Sequence, residues 1–475
     1  MRKSTVIRQD LIPYYLFFIL FTVSVLKNPF FWDTIQLASQ HANFYFYHHL
    51  KLLFLPDSID SGHIPAFGYT LAIFWKIFGR SLPVSHLFML PFLIGIVNQA
   101  YRLLDKFISK QYLHFVLFLF LADPTFLAQA SLVSPDIPLV YFFLLFLNAI
   151  FERNRLLKVL AVIGLLLISM RGWMIVIWLL FYDQYVLLRE KGNRLSVPET
   201  FKSLKSYIPG TLIVLIYLIL HYHAKGWIGY HKNSPWAVCF ESVGFTKFIR
   251  NILIYGWRLI DFGRIAIWIL FFISFRQFLK NIRTDSLFQK LVILSGILLF
   301  AFPFYMLLHR NLLGERYLIP VYMSFTLFVG YLFFEKTNFK AVFKRSVALA
   351  GIIILLGGNL IIYPDKIAQA WDSSLAYIPY FNLREESISY MKENNIKIHF
   401  TGSEFPNTAP FSVSDLIDSD EKFAEKNLLT NQYFLYSNVF NDISDQEYAE
   451  LHNQWTELKT FKKCGVYFIL YKNPD

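Results

Sequence analysis

The chain has 475 residues, of which 55% are hydrophobic, 19% aromatic and 16% charged, with a formal net charge of +12. Soluble domains carry about 25% charged residues, so this composition excludes the soluble globular class. In a membrane chain the positive excess belongs first to cytoplasmic loops, not to a nucleic-acid interface.

A spanning helix needs about 20 mostly apolar residues, and about eleven segments are candidates, centred near Ile19, Leu93, Leu121, Leu144, Leu165, Ile177, Val214, Ile269, Leu298, Phe325 and Ile354. The first follows Arg2, Lys3 and Arg8 and ends in Lys27-Asn28-Pro29-Phe30, with no small-residue cleavage site, so it reads as an uncleaved membrane helix. Six basic groups follow the positive-inside rule. They contain Arg2, Lys3 and Arg8; Arg102, Lys106 and Lys110; Arg153, Arg155 and Lys158; Arg189 to Lys205; Arg276 to Lys290; and Lys336 to Arg345. Eleven spans put every group on one side, with the N-terminus in the cytoplasm. The expected fold is therefore an α-helical polytopic membrane domain, residues 1–363, followed by a small α/β extracytoplasmic domain, residues 364–475. In that tail a helix is expected over 383–394 and strands over 396–400, 433–436 and 466–471. The segment 67–78 is short for a span and carries Lys76, which suits an interfacial helix in the first outer loop. Cys239 and Cys464 give no disulfide framework or thiolate metal cluster; both fall outside the membrane, which leaves one disulfide open.

On the outer side, polar residues collect at helix ends. Asp33, in Phe30-Phe31-Trp32-Asp33, lies just outside the first helix. A partly desolvated carboxylate there is a competent base, and it could equally cap the amphipathic run that follows. His63 sits in Ser61-Gly62-His63-Ile64-Pro65, and Asp136 in Ser134-Pro135-Asp136-Ile137-Pro138 opens the fourth span, where a helix cap is the structural alternative. Arg171 lies between two apolar runs with almost no loop, and a charge at that depth is a functional candidate unless it snorkels. The loop 221–255 holds Lys225, Trp227, His231, Lys232 and Trp236, with Arg258 beyond it. Cations on the outer face suit an anionic ligand such as a lipid phosphate; aromatics beside them suit sugar faces or a membrane belt. Arg316, in Glu315-Arg316-Tyr317-Leu318-Ile319-Pro320, abuts the tenth span and is the stronger phosphate ligand of that group.

Taken in order, these elements resemble the C-type-fold membrane glycosyltransferases, in particular the protein O-mannosyltransferase and lipid A aminoarabinose transferase superfamily. The matching pieces are Trp32-Asp33, Gly62-His63-Ile64-Pro65 through Ile77-Phe78-Gly79, Asp136, Met170-Arg171-Gly172-Trp173, and Arg316 to Pro320. Thr34 stands where the mannosyltransferases commonly carry a second acid, and Arg171 and Trp173 replace a Lys and a Pro. The resemblance implies an inverting hexosyl- or pentosyltransferase. Its donor would be a polyprenyl-phosphate sugar and its acceptor a hydroxyl on a glycan, lipid or protein, at the outer face of a bacterial inner membrane. Asp33 would act as base and Asp136 as orienting group, with Arg171, Arg316 and His63 on the donor phosphate. No cofactor is specified, and a divalent metal stays open. Two competing classes fit the same outer cations: a lipid-linked sugar transporter or flippase, and a glycan ligase or lipid phosphotransferase. A transporter predicts internal repeats or paired broken helices, and none is evident in the sequence.

Overall fold

A computed structural model describes residues 8–194, 196–231, 237–310, 313–365 and 367–474. All eleven expected centres fall within helices. Among the described residues five helices are long and apolar enough to cross a membrane: Leu82–Leu104, Ile208–Lys225, Ser286–Leu307, Glu315–Lys336 and Ala341–Leu360. A sixth span results if Lys110–Leu121 and Pro124–Ala130, bent by 66°, are counted together. Others are shorter than the uninterrupted runs expected, among them Ile12–Val25, Asp136–Phe151 and Arg155–Ile168. The cause is local. Pro124, Pro135 and an extended Ser169 interrupt the helical hydrogen-bond ladder near the ends where polar residues collect.

Helix Glu315–Lys336 is the centre of the bundle, with 94% of its apolar window buried, whereas Ile208–Lys225 has 17% buried and lies at the periphery. Several termini are fixed by side-chain caps that satisfy otherwise orphaned amides. Asn154 accepts from Leu157 N at 3.1 Å, Ser169 from Arg171 N at 3.0 Å and Asp285 from Phe288 N at 2.9 Å. The basic loops gather at one end of the bundle, cross-linked by acids. Glu152 receives Arg102 and Lys106, both at 2.6 Å, and Glu190 receives Arg153 at 2.6 Å and Lys290 at 3.2 Å.

At the opposite end, helix Ala66–Phe78 buries Phe67, Gly68, Leu71, Ala72 and Trp75 along one face, as an interfacial helix should. The C-terminal segment forms a five-stranded mixed sheet of β1 (Thr401–Ser403), β2 (Ala424–Glu425), β3 (Tyr433–Ser437), β4 (Thr456–Lys463) and β5 (Val466–Lys472), in the order β2-β1-β3-β5-β4. β1 runs parallel to β2 and β3, while β5 is antiparallel to β3 and β4. The helix expected over 383–394 spans Pro379–Glu393. The strand expected over 396–400 is corrected: Ile398–Phe400 is a 3-10 turn and the strand follows it. Strand β4 was not anticipated because its residues are mostly exposed and charged, as suits a protected sheet edge. It is joined to β5 by Cys464-Gly465, both at positive φ. Cys464 and Cys239 are free thiols.

This segment packs directly on the bundle. Phe31, fully buried, stacks on Tyr377 with ring centroids 4.6 Å apart and meets Tyr380 and Phe381 edge-on. Phe30 N donates to Ser414 O at 2.8 Å, and Ser39 Oγ to Val413 O at 2.6 Å. Arg80 donates to the Leu416 and Ser412 carbonyls. The strongest of these contacts therefore seat the tail on the stretch that carries Asp33.

Candidate active site

Five of the sequence candidates converge. Trp32 has φ +49°, and Asp33 is the first residue of the helix that follows, leading into a π-helical turn over Ile35–Gln40. A left-handed non-glycine residue and a π-turn are both uncommon and costly, and such features concentrate at functional sites. The turn is held by Thr34, whose Oγ1 accepts from Phe31 N at 2.9 Å and donates to Phe31 O at 2.7 Å. Asp33 is thus released from capping duty, and its carboxylate pairs with Arg316. Arg316, 7% exposed, also reaches Asp372 at 3.2 Å and lies 3.9 Å from Asp136. Its Nη2 donates to the Tyr317 hydroxyl at 3.2 Å.

Asp136 is not the helix cap. Pro135 holds that position, and the Asp136 side chain, 1% exposed, turns to pair with Arg171 through Oδ1. Its Oδ2 is buried without a hydrogen-bond donor among the described residues. Arg171 is set by the break at Ser169, and its guanidinium lies over the Tyr317 ring, 4.1 Å from the centroid. Gly172 meets the Leu165 carbonyl so closely that any Cβ would collide with it, which fixes a glycine after Arg171. His63 Nδ1 accepts from Met170 N at 3.2 Å, bracing the start of the same helix. Burial, followed by the Arg171 charge, pushes the His63 pKa down to about 3, so the ring is neutral. A neutral ring that accepts at Nδ1 keeps Nε2 as its donor.

Asp372 was missed by sequence reasoning. It comes from the tail, in an ordinary Trp-Asp-Ser-Ser stretch with no motif to mark it. A 3-10 turn, Trp371–Ser373, carries it, and Gln129 and Thr125 bind the turn's carbonyls at 2.8 and 2.9 Å. Burial pushes its pKa up, against the opposing pull of Arg316. Three carboxyl groups, of Asp33, Asp136 and Asp372, thus face two guanidiniums. Beside them Glu315, fully buried, pairs with Arg258 and accepts from Ser373 Oγ at 3.3 Å. Trp32 Nε1 and Arg258 Nε are buried donors without acceptors among the described residues. Together with Asp136 Oδ2 they are the polar atoms that a ligand would satisfy.

Of the remaining described candidates, Arg258 borders this centre through Glu315, while Lys225, Trp227 and His231 lie apart from it. Lys225 pairs with Asp57 at 2.8 Å, His231 bonds to Asp57 O at 3.1 Å, and Trp227 packs on His221 and His231. His221 in turn meets Asp60 at 3.1 Å, and Asp60 accepts from Gly62 N at 2.8 Å. This loop therefore clasps the segment that presents His63. Arg258 belongs instead to Glu315, and Lys232 and Trp236 lie outside the described residues. Farther along, Arg264 is sealed on Asp123 at 2.7 Å and over the Tyr322 ring at 3.8 Å. Among the described residues no three His, Cys, Asp or Glu side chains form a group that could hold a metal ion; the acidic cluster converges on arginines.

No protein-family model matches the chain, and no curated protein matches it. Two solved structures of ArnT from Cupriavidus metallidurans are similar. The one bound to undecaprenyl phosphate has 12% identity, covers 82% of this chain and 73% of its own, and gives a TM-score of 0.50. The apo state has 11% identity over 97% of each chain, with a TM-score of 0.49. At such identity the likeness to the first is one of fold, and the polytopic membrane fold expected from the motifs is the fold found.

Proposed function

We propose that this chain is an inverting glycosyltransferase that moves a sugar from a polyprenyl-phosphate donor to an acceptor hydroxyl at the outer face of the membrane. The observation that carries the reading is the convergence of Asp33, Asp136, Arg171 and Arg316 at the end of the bundle opposite the basic loops. The fold likeness to an undecaprenyl-phosphate-bound ArnT supports the donor class. In this reading the eleven helical segments are spans or broken spans, the basic end faces the cytoplasm, and the tail beyond residue 363 is extracytoplasmic, in a bacterial inner membrane.

The acceptor oxygen attacks the anomeric carbon as the bond from that carbon to the phosphate oxygen breaks. The hydroxyl proton passes to Asp33. The bonding pair leaves with the phosphate, whose charge grows by one, and a single displacement inverts the configuration. Asp136 holds Arg171 through Oδ1, and its Oδ2 accepts from a neighbouring hydroxyl of the acceptor, which orients the reacting one toward Asp33. Arg171 and Arg316 take up the developing phosphate charge, which in a desolvated site is the larger part of catalysis. A donor phosphate competes with Asp33 for Arg316. Binding therefore loosens the guanidinium's hold on Asp33 and leaves its carboxylate free to face the acceptor hydroxyl. No step is routed through a metal, and transfer measured after chelation reads out any requirement for one.

Transfer from a radiolabelled polyprenyl-phosphate sugar by the purified protein tests the reading. Glycosidic product from the unsubstituted chain and none above background from Asp33→Asn supports it. Movement of lipid-linked sugar across a vesicle without bond formation contradicts it.

A further inference from the structure

A cavity of about 690 Å³ lies between the segment leaving the last long helix and the C-terminal sheet, a size typical of small-ligand sites. Tyr363 and Trp371 line one side; Tyr436 and Tyr448 line the other. Asp365 and Asp445, both exposed, contribute carboxylates to the rim and have no ion-pair partner among the described residues. None of the described lining residues is a cation.

We propose that this cavity holds the acceptor, and that the acceptor is a saccharide without anionic groups; this rests on the glycosyl-transfer reading above. Aromatic walls present flat apolar faces to the C–H faces of sugar rings, while carboxylates accept from ring hydroxyls. The same carboxylates repel a phosphorylated, sulfated or carboxylated ligand. The position also fits. Trp371 lines the cavity, and the next residue, Asp372, is 3.2 Å from Arg316 in the catalytic cluster. The turn Trp371–Ser373 thus belongs both to the cavity wall, through Trp371, and to the catalytic cluster, through Asp372. The tail thereby supplies both the acceptor's platform and one wall of the catalytic centre. Tyr363 holds that wall to the bundle, its hydroxyl bonded to Asp261 and receiving Trp257 Nε1 at 2.7 Å.

Saturation-transfer NMR on the detergent-solubilised full chain tests this with three probes: cellobiose, a glucosamine disaccharide and a sulfated disaccharide. The first two bind and the sulfated one does not. Tyr448→Ala weakens binding at least tenfold, and so does the pair Asp365→Asn with Asp445→Asn, whose exposed positions leave folding intact. Undecaprenyl phosphate binding is unchanged in all of these variants. Absence of saccharide binding, preference for the sulfated probe, or variants that bind as well as the unsubstituted chain overturns the inference. Undecaprenyl phosphate binding with no saccharide binding removes this inference alone. Saccharide binding that Tyr448→Ala abolishes supports the cavity assignment, even if undecaprenyl phosphate fails to bind and the donor reading falls.

Discussion

Replacing Arg316 by Gln removes the one cation shared by Asp33 and Asp372. Both partners are largely buried, at 16% and 15% side-chain exposure, so their charges are left without a counter-ion in a poorly solvated site. Breaking a buried ion pair costs about 3–5 kcal/mol, and a hydrogen bond retained by the glutamine offsets about 1 kcal/mol. The expected net loss is about 2–4 kcal/mol, a fall in melting temperature of roughly 2–4 °C for a chain of this size. Asp33→Asn in the same chain removes one stranded charge and restores part of the loss, so the double variant melts above Arg316→Gln alone. The assay is thermal unfolding of the detergent-solubilised protein, with an undecaprenyl phosphate titration alongside. One lost charge-assisted contact of about 1.5–3 kcal/mol weakens phosphate binding by roughly 10–100-fold. An Arg316→Gln protein that melts with the unsubstituted chain, or that Asp33→Asn destabilises further, refutes the shared-cation account.

Other consequences follow from the same geometry. Asp33→Asn lowers transfer by about 10²–10⁴-fold, the worth of a general base, while phosphate binding holds or tightens because Arg316 is released. Asp372 has a raised folded-state pKa, so its favourable contribution is complete at low pH and is lost as pH rises through that pKa. Asp372→Asn should accordingly match or exceed the unsubstituted chain's melting temperature at neutral pH, with the gap narrowing on acidification, even as transfer falls. His63 titrates in the opposite sense. With its folded pKa near 3, the stability it contributes is present above about pH 6.5 and is lost as pH falls toward 3; His63→Gln flattens that part of the stability profile. Phe31→Ala empties the stack on Tyr377, Tyr380 and Phe381 and should destabilise by about 3–5 kcal/mol, read as faster proteolysis between the bundle and the tail.

Much of this was legible because a membrane imposes strong rules on sequence. Apolar runs located the helices, and Pro-bounded acids marked helix ends. Charge asymmetry placed Asp33, Asp136, Arg171 and Arg316 on one side before any coordinates. What sequence could not supply was pairing across long separations. Asp372 lies 56 residues beyond Arg316, in a stretch with no motif, and only the docking of the tail brings it home. No pattern announces the amide of Met170 that binds the His63 ring across 107 residues. The cations of the 221–231 loop looked free because Asp57 and Asp60, which hold them, sit more than 150 residues earlier. Strand β4 escaped because an exposed edge strand, Thr-Glu-Leu-Lys-Thr-Phe-Lys-Lys, carries only two apolar residues.

Chemistry at the anomeric carbon is the central claim, and product stereochemistry tests it most directly. The purified chain is given a polyprenyl-phosphate sugar of defined anomeric configuration and a saccharide acceptor, and the new glycosidic bond is assigned by NMR. The expected product is a glycoside of inverted configuration, formed at least about 100-fold more slowly by Asp33→Asn. A product of retained configuration, or one formed equally well without the Asp33 carboxylate, contradicts it.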